Sequence, residues 1–242
     1  MERLDSLDVG FTEGFYQAAS PWGLMRLRHG SHTLQQKGCL LSALASGLNW
    51  AQVRLPPGPD VRQAVSTLID AQITGDRNHA PVPGLRSIDL NGPLNPGLFN
   101  AWMSINNAQG FRPGWLDLDM QRVCGVLNIS STLQWTPYVH AERSLPDAQQ
   151  LWTWLSVLNI LIAHLDPRRT DHDNHWVLIT GYSATAGRFT CWDPGYPPDS
   201  VHHTSDVAVG QFNRLHRLEP CSRPLGLHLR GRSPLPARPK LA

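Results

Sequence analysis

Three residue types in this chain could together perform nucleophilic acyl chemistry: the thiol of Cys39, the imidazole of His175 and the carboxylate of Asp193. A thiol becomes a nucleophile when a base takes its proton, and the base works best when a third group fixes its tautomer and orientation. The local contexts suit those roles. Gly38-Cys39 opens an apolar run, Leu40-Leu41-Ser42-Ala43-Leu44-Ala45, that reads as the start of a buried helix. A helix start presents unpaired backbone N–H groups and partial positive charge, which favour a thiolate and can hold an oxyanion. Gly38 is expected to give a tight backbone path and to leave room for a substrate.

His175 opens a strand-like run through Val177-Leu178-Ile179, and Asp193 closes the next one, followed by the turn formers Pro194-Gly195. A hairpin through the loop Ser183–Gly187 would bring His175 and Asp193 to one end of a sheet. Each residue also has a plain structural reading: a buried core cysteine, a solvated loop histidine and a turn aspartate. The polar tract Asp171-His172-Asp173-Asn174 raises a metal site through His172 and His175, but no further ligand stands at a recognisable spacing. A solvated loop is expected there, with no metal and no cofactor.

The elements that must position these groups follow from periodicity. Leu40, Leu41, Leu44 and Leu48 recur at helical spacing up to about Asn49. Asp60 is a candidate N-cap for a helix through Val61, Val65, Leu68 and Ile69, after the breaker Pro56-Pro57-Gly58-Pro59. Residues 74–94 read as a long connection. Asn95 caps a helix with Pro96 at its first position, running through Leu98, Phe99, Trp102 and Ile105. A helix over 117–127, a strand over 133–139 and a helix over 147–158 follow. Residues 157–164 fit either an extension of that helix or a strand. Helices come first and strands later, so the fold class is α+β with segregated layers and not alternating βαβ units.

Taken together these segments resemble the papain-like cysteine peptidases of the C39-like group. The resemblance rests on Gln35-Gln36-Lys37-Gly38-Cys39-Leu40-Leu41, His175-Trp176-Val177-Leu178-Ile179-Thr180-Gly181-Tyr182 and Trp192-Asp193-Pro194-Gly195. Asn95–Trp102 through Gly110-Phe111 adds the family's middle helix and turn, in the family's order from about Tyr16 to Leu218. It implies a papain-like fold in which a central helix starting at Cys39 packs on a C-terminal antiparallel sheet. It also implies a glutamine upstream that holds the oxyanion. Tyr16-Gln17-Ala18-Ala19-Ser20-Pro21-Trp22 has the family's Gln-x-x-x-x-Trp shape, which favours Gln17, although the acidic residue that follows the glutamine in the family is missing. Gln35 and Gln36 compete, but stand close to the thiol in sequence. The implied activity is a cysteine peptidase or related amide hydrolase with a peptide or protein substrate. Two other readings stay open: a scaffold with an idle site used for binding or assembly, and an acyl transferase or deamidase acting on a partner protein.

Composition bounds the rest. At 242 residues the chain can bury a real core, expected as one domain over 1–219 followed by a basic, proline-rich tail over 220–242. The net charge of +2 is uneven. Five basic residues, from Arg223 to Lys240, lie in the tail with no acidic one, leaving 16 basic against 19 acidic elsewhere. A nucleic-acid partner would therefore depend on the tail alone, which reads as a solvated extension. Nothing reaches the apolar length of a membrane span, about 18 residues. The mixed-charge start, Met1-Glu2-Arg3-Leu4-Asp5, shows no secretory signal, so a cytoplasmic location is expected, with later release, injection or virion association open. Cys39, Cys124, Cys191 and Cys221 lie far apart, which argues against zinc knuckles and, in the cytoplasm, against structural disulfides. Trp22, Trp102, Trp115, Trp135, Trp152, Trp154 and Trp192 are expected mostly in the core.

Overall fold

A computed structural model describes residues 4–115, 117–130, 134–166, 175–200 and 204–222. The fold is α+β, a helical part followed by an antiparallel sheet. After a two-residue strand β1 (Leu7–Asp8) and a short helix α1 (Leu34–Lys37), the chain enters α2 (Cys39–Trp50). The apolar positions of α2 run all round its surface, and Leu40 to Leu48 are buried without a break. A helix apolar on every side belongs in the centre of a molecule. Accordingly α2 packs on the sheet on one side and on α4 (Pro96–Ala108) on the other, with α3 (Pro59–Thr74) outside α4. The helix α5 (Met120–Ser130) leads into the sheet.

The sheet contains β2 (Gln134–Ala141), β3 (Ile160–Leu165), β4 (Trp176–Ser183), β5 (Arg188–Trp192), β6 (Thr204–Val207) and β7 (Phe212–Ser222), in the spatial order β2-β7-β3-β4-β5-β6. β1 joins it by pairing with β4, Leu7 against Tyr182. Each pairing is antiparallel. All six residues of β3 are buried, because both faces of the sheet are covered there. Ile160, Ile162, Leu178 and Trp192 face the core shared with α2 to α5. Leu161, Ala163, Val177, Ile179 and Leu215 face a second core closed by α6 (Ala148–Ser156) through Leu151 and Leu155.

Most helix boundaries follow the periodicity. Asn95 caps α4, its Oδ1 accepting from the Leu98 N–H at 2.9 Å, with Pro96 at the first helical position. Asp147 caps α6 in the same way through the Gln150 N–H at 2.8 Å. Asp60 does not cap α3. The cap is Gly58, and Asp60 sits within the first turn, where its charge still favours the helix dipole. The helix expected from 117 begins at Met120, because the carboxylate of Asp119 accepts from the Gln121 and Arg122 N–H groups. Residues 157–164 resolve into the end of α6, a turn with Leu158 at φ 66°, and β3. Connection 74–94 holds one short 3₁₀ turn, Pro83–Ser87. The expected strand start at Leu133 lies outside the described residues.

Sequence reasoning missed β6 and β7. The second corrects a boundary: Pro220, Cys221 and Ser222, read as the start of the tail, end β7, where Pro220 pairs with Trp135 and Ser222 with Gln134. Residues 223–242, the rest of that tail, lie outside the described residues. Among the described residues no helix is long and apolar enough to cross a membrane.

Candidate active site

Cys39 is the first residue of α2 and is partly exposed, whereas Cys124 and Cys191 are buried. Burial pushes the Cys191 thiol above its ordinary range. The side chain of Cys221 lies outside the described residues. Directly before Cys39, Gly38 ends α1 by donating its N–H to the Leu34 carbonyl at 2.7 Å and serves as the N-cap of α2. A Cβ on Gly38 would lie 2.4 Å from that carbonyl oxygen. The glycine is therefore required by the close approach of α1, and the space expected for a substrate at this residue is filled by the Leu34 backbone.

His175 lies at the entry to β4, and Asp193 directly follows β5. The β4–β5 hairpin pairs Ser183 with Arg188 at the turn and Leu178 with Trp192 near the far end, which carries both residues to the same end of the sheet. There the His175 Nε2 hydrogen-bonds the Asp193 Oδ1. Asp193 is fully buried, and its Oδ1 also accepts from the Gly195 N–H at 2.7 Å. Among the described residues its Oδ2 has no hydrogen-bond partner. Cys39 hydrogen-bonds the imidazole as well. The imidazole is thus engaged by both the carboxylate and the thiol.

Electrostatics at His175 are a contest. Burial pulls its pKa down, but the hydrogen bonds from Asp193 and Cys39 and the charge on each raise it, and the net result is about 9. The protonated ring is thus stabilised by two acidic partners, one on each side. Gly195 packs directly over the pair: a Cβ there would lie 2.9 Å from the His175 Cε1 and 3.0 Å from the Asp193 Oδ1. The sequence marked Gly195 only as a turn former. Its contact with the imidazole depends on how the turn folds back.

Gln17 lies between the two halves of the site. Its backbone N–H donates to the Pro194 carbonyl at 2.9 Å, and its Nε2 donates to the Gln35 carbonyl at 2.9 Å. It is therefore tied both to the turn after Asp193 and to the segment that leads into Cys39. One amide hydrogen is used by Gln35 and a second remains. The surrounding turn is compact, with the Trp22 indole N–H donating to the Tyr16 carbonyl at 2.9 Å. Of the competing glutamines, Gln36 uses its side-chain oxygen to accept from the Thr33 N–H at 2.9 Å, which commits it to capping α1. Gln35 contributes its carbonyl to Gln17, and its side chain is exposed.

The polar tract with His172 lies outside the described residues. Among the described residues no group of three His, Cys, Asp or Glu side chains is placed to hold a metal ion. Of the tryptophans, Trp102, Trp135 and Trp192 are in the core, whereas Trp115 is 61% exposed. A scan against protein-family models finds no match for this chain, and a search of curated proteins finds none either.

Proposed function

We propose that the chain is a papain-like cysteine peptidase or related amide hydrolase, acting on a peptide or protein through Cys39, His175 and Asp193. The observation that carries this reading is the imidazole held between a partly exposed thiol at a helix start and a fully buried carboxylate. A buried aspartate that bonds one ring nitrogen leaves the other to exchange a proton with the thiol. A purely structural histidine has no need of that arrangement at the end of a strand.

In this mechanism Nδ1 of His175 takes the Cys39 proton, and the thiolate attacks a carbonyl carbon. The oxyanion is held by the Cys39 backbone N–H and by the Gln17 side-chain amide. His175 then gives its proton to the leaving amine, and the C–N bond breaks to leave a thioester on Cys39. Water, deprotonated by His175, releases the acid and restores the thiol. Asp193 orients the ring throughout and balances its positive charge. A buried central helix packed on an antiparallel sheet accords with this assignment.

The test is alkylation followed by turnover. Cys39 is expected to react with iodoacetamide faster than glutathione does at pH 7, and Cys39→Ala should abolish cleavage of a mixed peptide library read by mass spectrometry. A Cys39 slower than glutathione would overturn the reading. A fast Cys39 with no peptide cut, and a gain of about 1 Da on a protein partner, would reassign the chemistry to deamidation.

A further inference from the structure

A cavity of about 830 Å³ lies between the start of α2 and the face of the sheet that packs on it. Neither Cys39 nor His175 lines it, but the next residue along the chain from each does, Leu40 on α2 and Trp176 on β4. One wall is a set of flat rings. Trp176 stacks on His216 of β7 with ring centres 4.6 Å apart and planes 13° from parallel, and the His164 ring of β3 lies 4.7 Å from Trp176, tilted by 52°. His164 is fixed by Asn213, whose side-chain oxygen meets its Nδ1. Facing this wall are Leu40, Leu118 and Met120, all buried.

The loop that presents Leu118 is held in place. Phe111 and Leu118 pair as an isolated bridge, the Arg112 N–H donates to the Asp117 carbonyl at 2.9 Å, and Arg28 reaches across to the Arg112 carbonyl at 3.1 Å. The opening is therefore preformed. Charge around it is balanced: Arg112 and Arg214 stand against Asp117 and Asp119. Such a rim selects neither a phosphate nor a cation. His216 of the ring wall does not change this balance. His216 is buried, and burial together with Arg214, His164 and His140 depresses its pKa to about 4, so the ring is neutral in neutral solution.

We propose that this cavity is the specificity pocket of the Cys39 site. It takes a bulky apolar or aromatic side chain of a peptide within about three residues of the attacked carbonyl, and Trp176 and His216 form the ring wall it packs on. The volume falls in the range of sites that enclose a small ligand, about 300–1,000 Å³, so short flanking stretches of the peptide enter with that side chain. This inference rests on the thiol reading given above. The pocket adds selectivity for a residue near the reacting bond, which the Cys39, His175 and Asp193 set does not itself supply.

Paired alkylating reagents test it on the intact protein without any turnover. Iodoacetamide and N-benzyl-iodoacetamide carry the same reacting carbon, and each rate at Cys39 is divided by that reagent's rate with glutathione. The benzyl reagent is expected to gain about tenfold or more at Cys39, the scale of burying one aromatic ring. Trp176→Ala and, separately, His216→Ala should each cut that preference to below about threefold, with circular dichroism reporting the fold of each variant. A fast Cys39 with equal normalised rates in the unmodified protein sinks the pocket and leaves the thiol reading intact. A preference that survives in both variants also sinks it. A Cys39 slower than glutathione with both reagents removes the thiol reading, and the pocket with it.

Discussion

His175 is the residue on which the most depends, because its partners make opposite demands. Burial favours the neutral ring, while Asp193 and Cys39 favour the imidazolium and prevail, giving a pKa of about 9 against an ordinary 6.5. A group whose pKa rises on folding stabilises the fold fully below its unfolded pKa, and that contribution fades as pH climbs through the folded value. Urea midpoints of the protein should therefore fall between about pH 6.5 and 9 and level off above, a decline that His175→Ala should flatten. Asp193→Asn removes the largest of the raising influences, so the ring titration followed by NMR should move down towards the ordinary range. Gly195→Ala tests geometry and not charge. With a Cβ 2.9 Å from the His175 Cε1, the ring must shift, and the alkylation rate of Cys39 should drop by roughly a hundredfold. An unchanged rate would mean that the ring tolerates displacement and does not set the thiol's reactivity.

The elements that present these residues depend on a few end positions. α2 can begin at Cys39 only because Gly38 lets α1 close against it, 2.4 Å from where a Cβ would meet the Leu34 oxygen. Gly38→Val should force α1 away, lowering both stability and Cys39 alkylation, and hydrogen exchange in 34–40 should rise. Asn95 makes a simpler case, since its side chain does one thing, capping α4 at the Leu98 N–H. Asn95→Ala should cost about 1 kcal/mol in denaturant unfolding, without altering the thiol. Both ends were legible in the sequence, Asn95 through the Asn-Pro pair and Gly38 through its place before the cysteine. The reason Gly38 is required was not legible, because the atom it avoids belongs to a helix of only four residues. Asp60 was misread because Pro59 starts the helix itself, so the cap lies two positions earlier, at Gly58.

At the scale of the molecule, β7 holds the sheet together. It lies between β2 and β3, pairing with both along most of its length, and Leu215 and Leu218 are fully buried, one in each core. Leu215→Ala should cost about 2–5 kcal/mol by denaturant unfolding. Leu24→Ala, at a side chain 57% exposed, should stay within about 0.5 kcal/mol. β7 was also the element the sequence hid best. Phe212-Asn213-Arg214-Leu215-His216-Arg217-Leu218-Glu219-Pro220 alternates imperfectly, carries charges and ends in proline. Its polar side chains are housed by tertiary partners. Arg217 lies over the rings of Tyr138 and Trp154 at 3.8 and 4.2 Å, and His216 stacks on Trp176.

The sequence alone determined the order and type of most elements and the chemical types of the candidate site, because caps, helical spacing and turn formers act over a few residues and need no distant partner. It also determined that Cys39, His175 and Asp193 sit at element ends. Tertiary structure alone decided that Cys39 meets the His175–Asp193 pair, that Asp193 takes Nε2, and that Gln17 bridges the Pro194 turn and Gln35. It alone placed Gly195 on the imidazole and opened a ring-walled cavity lined by Leu40 and Trp176. The His175–Asp193 pair spans only a hairpin and could be expected from it, but the others depend on which surfaces face one another in the folded chain, and no local pattern encodes that.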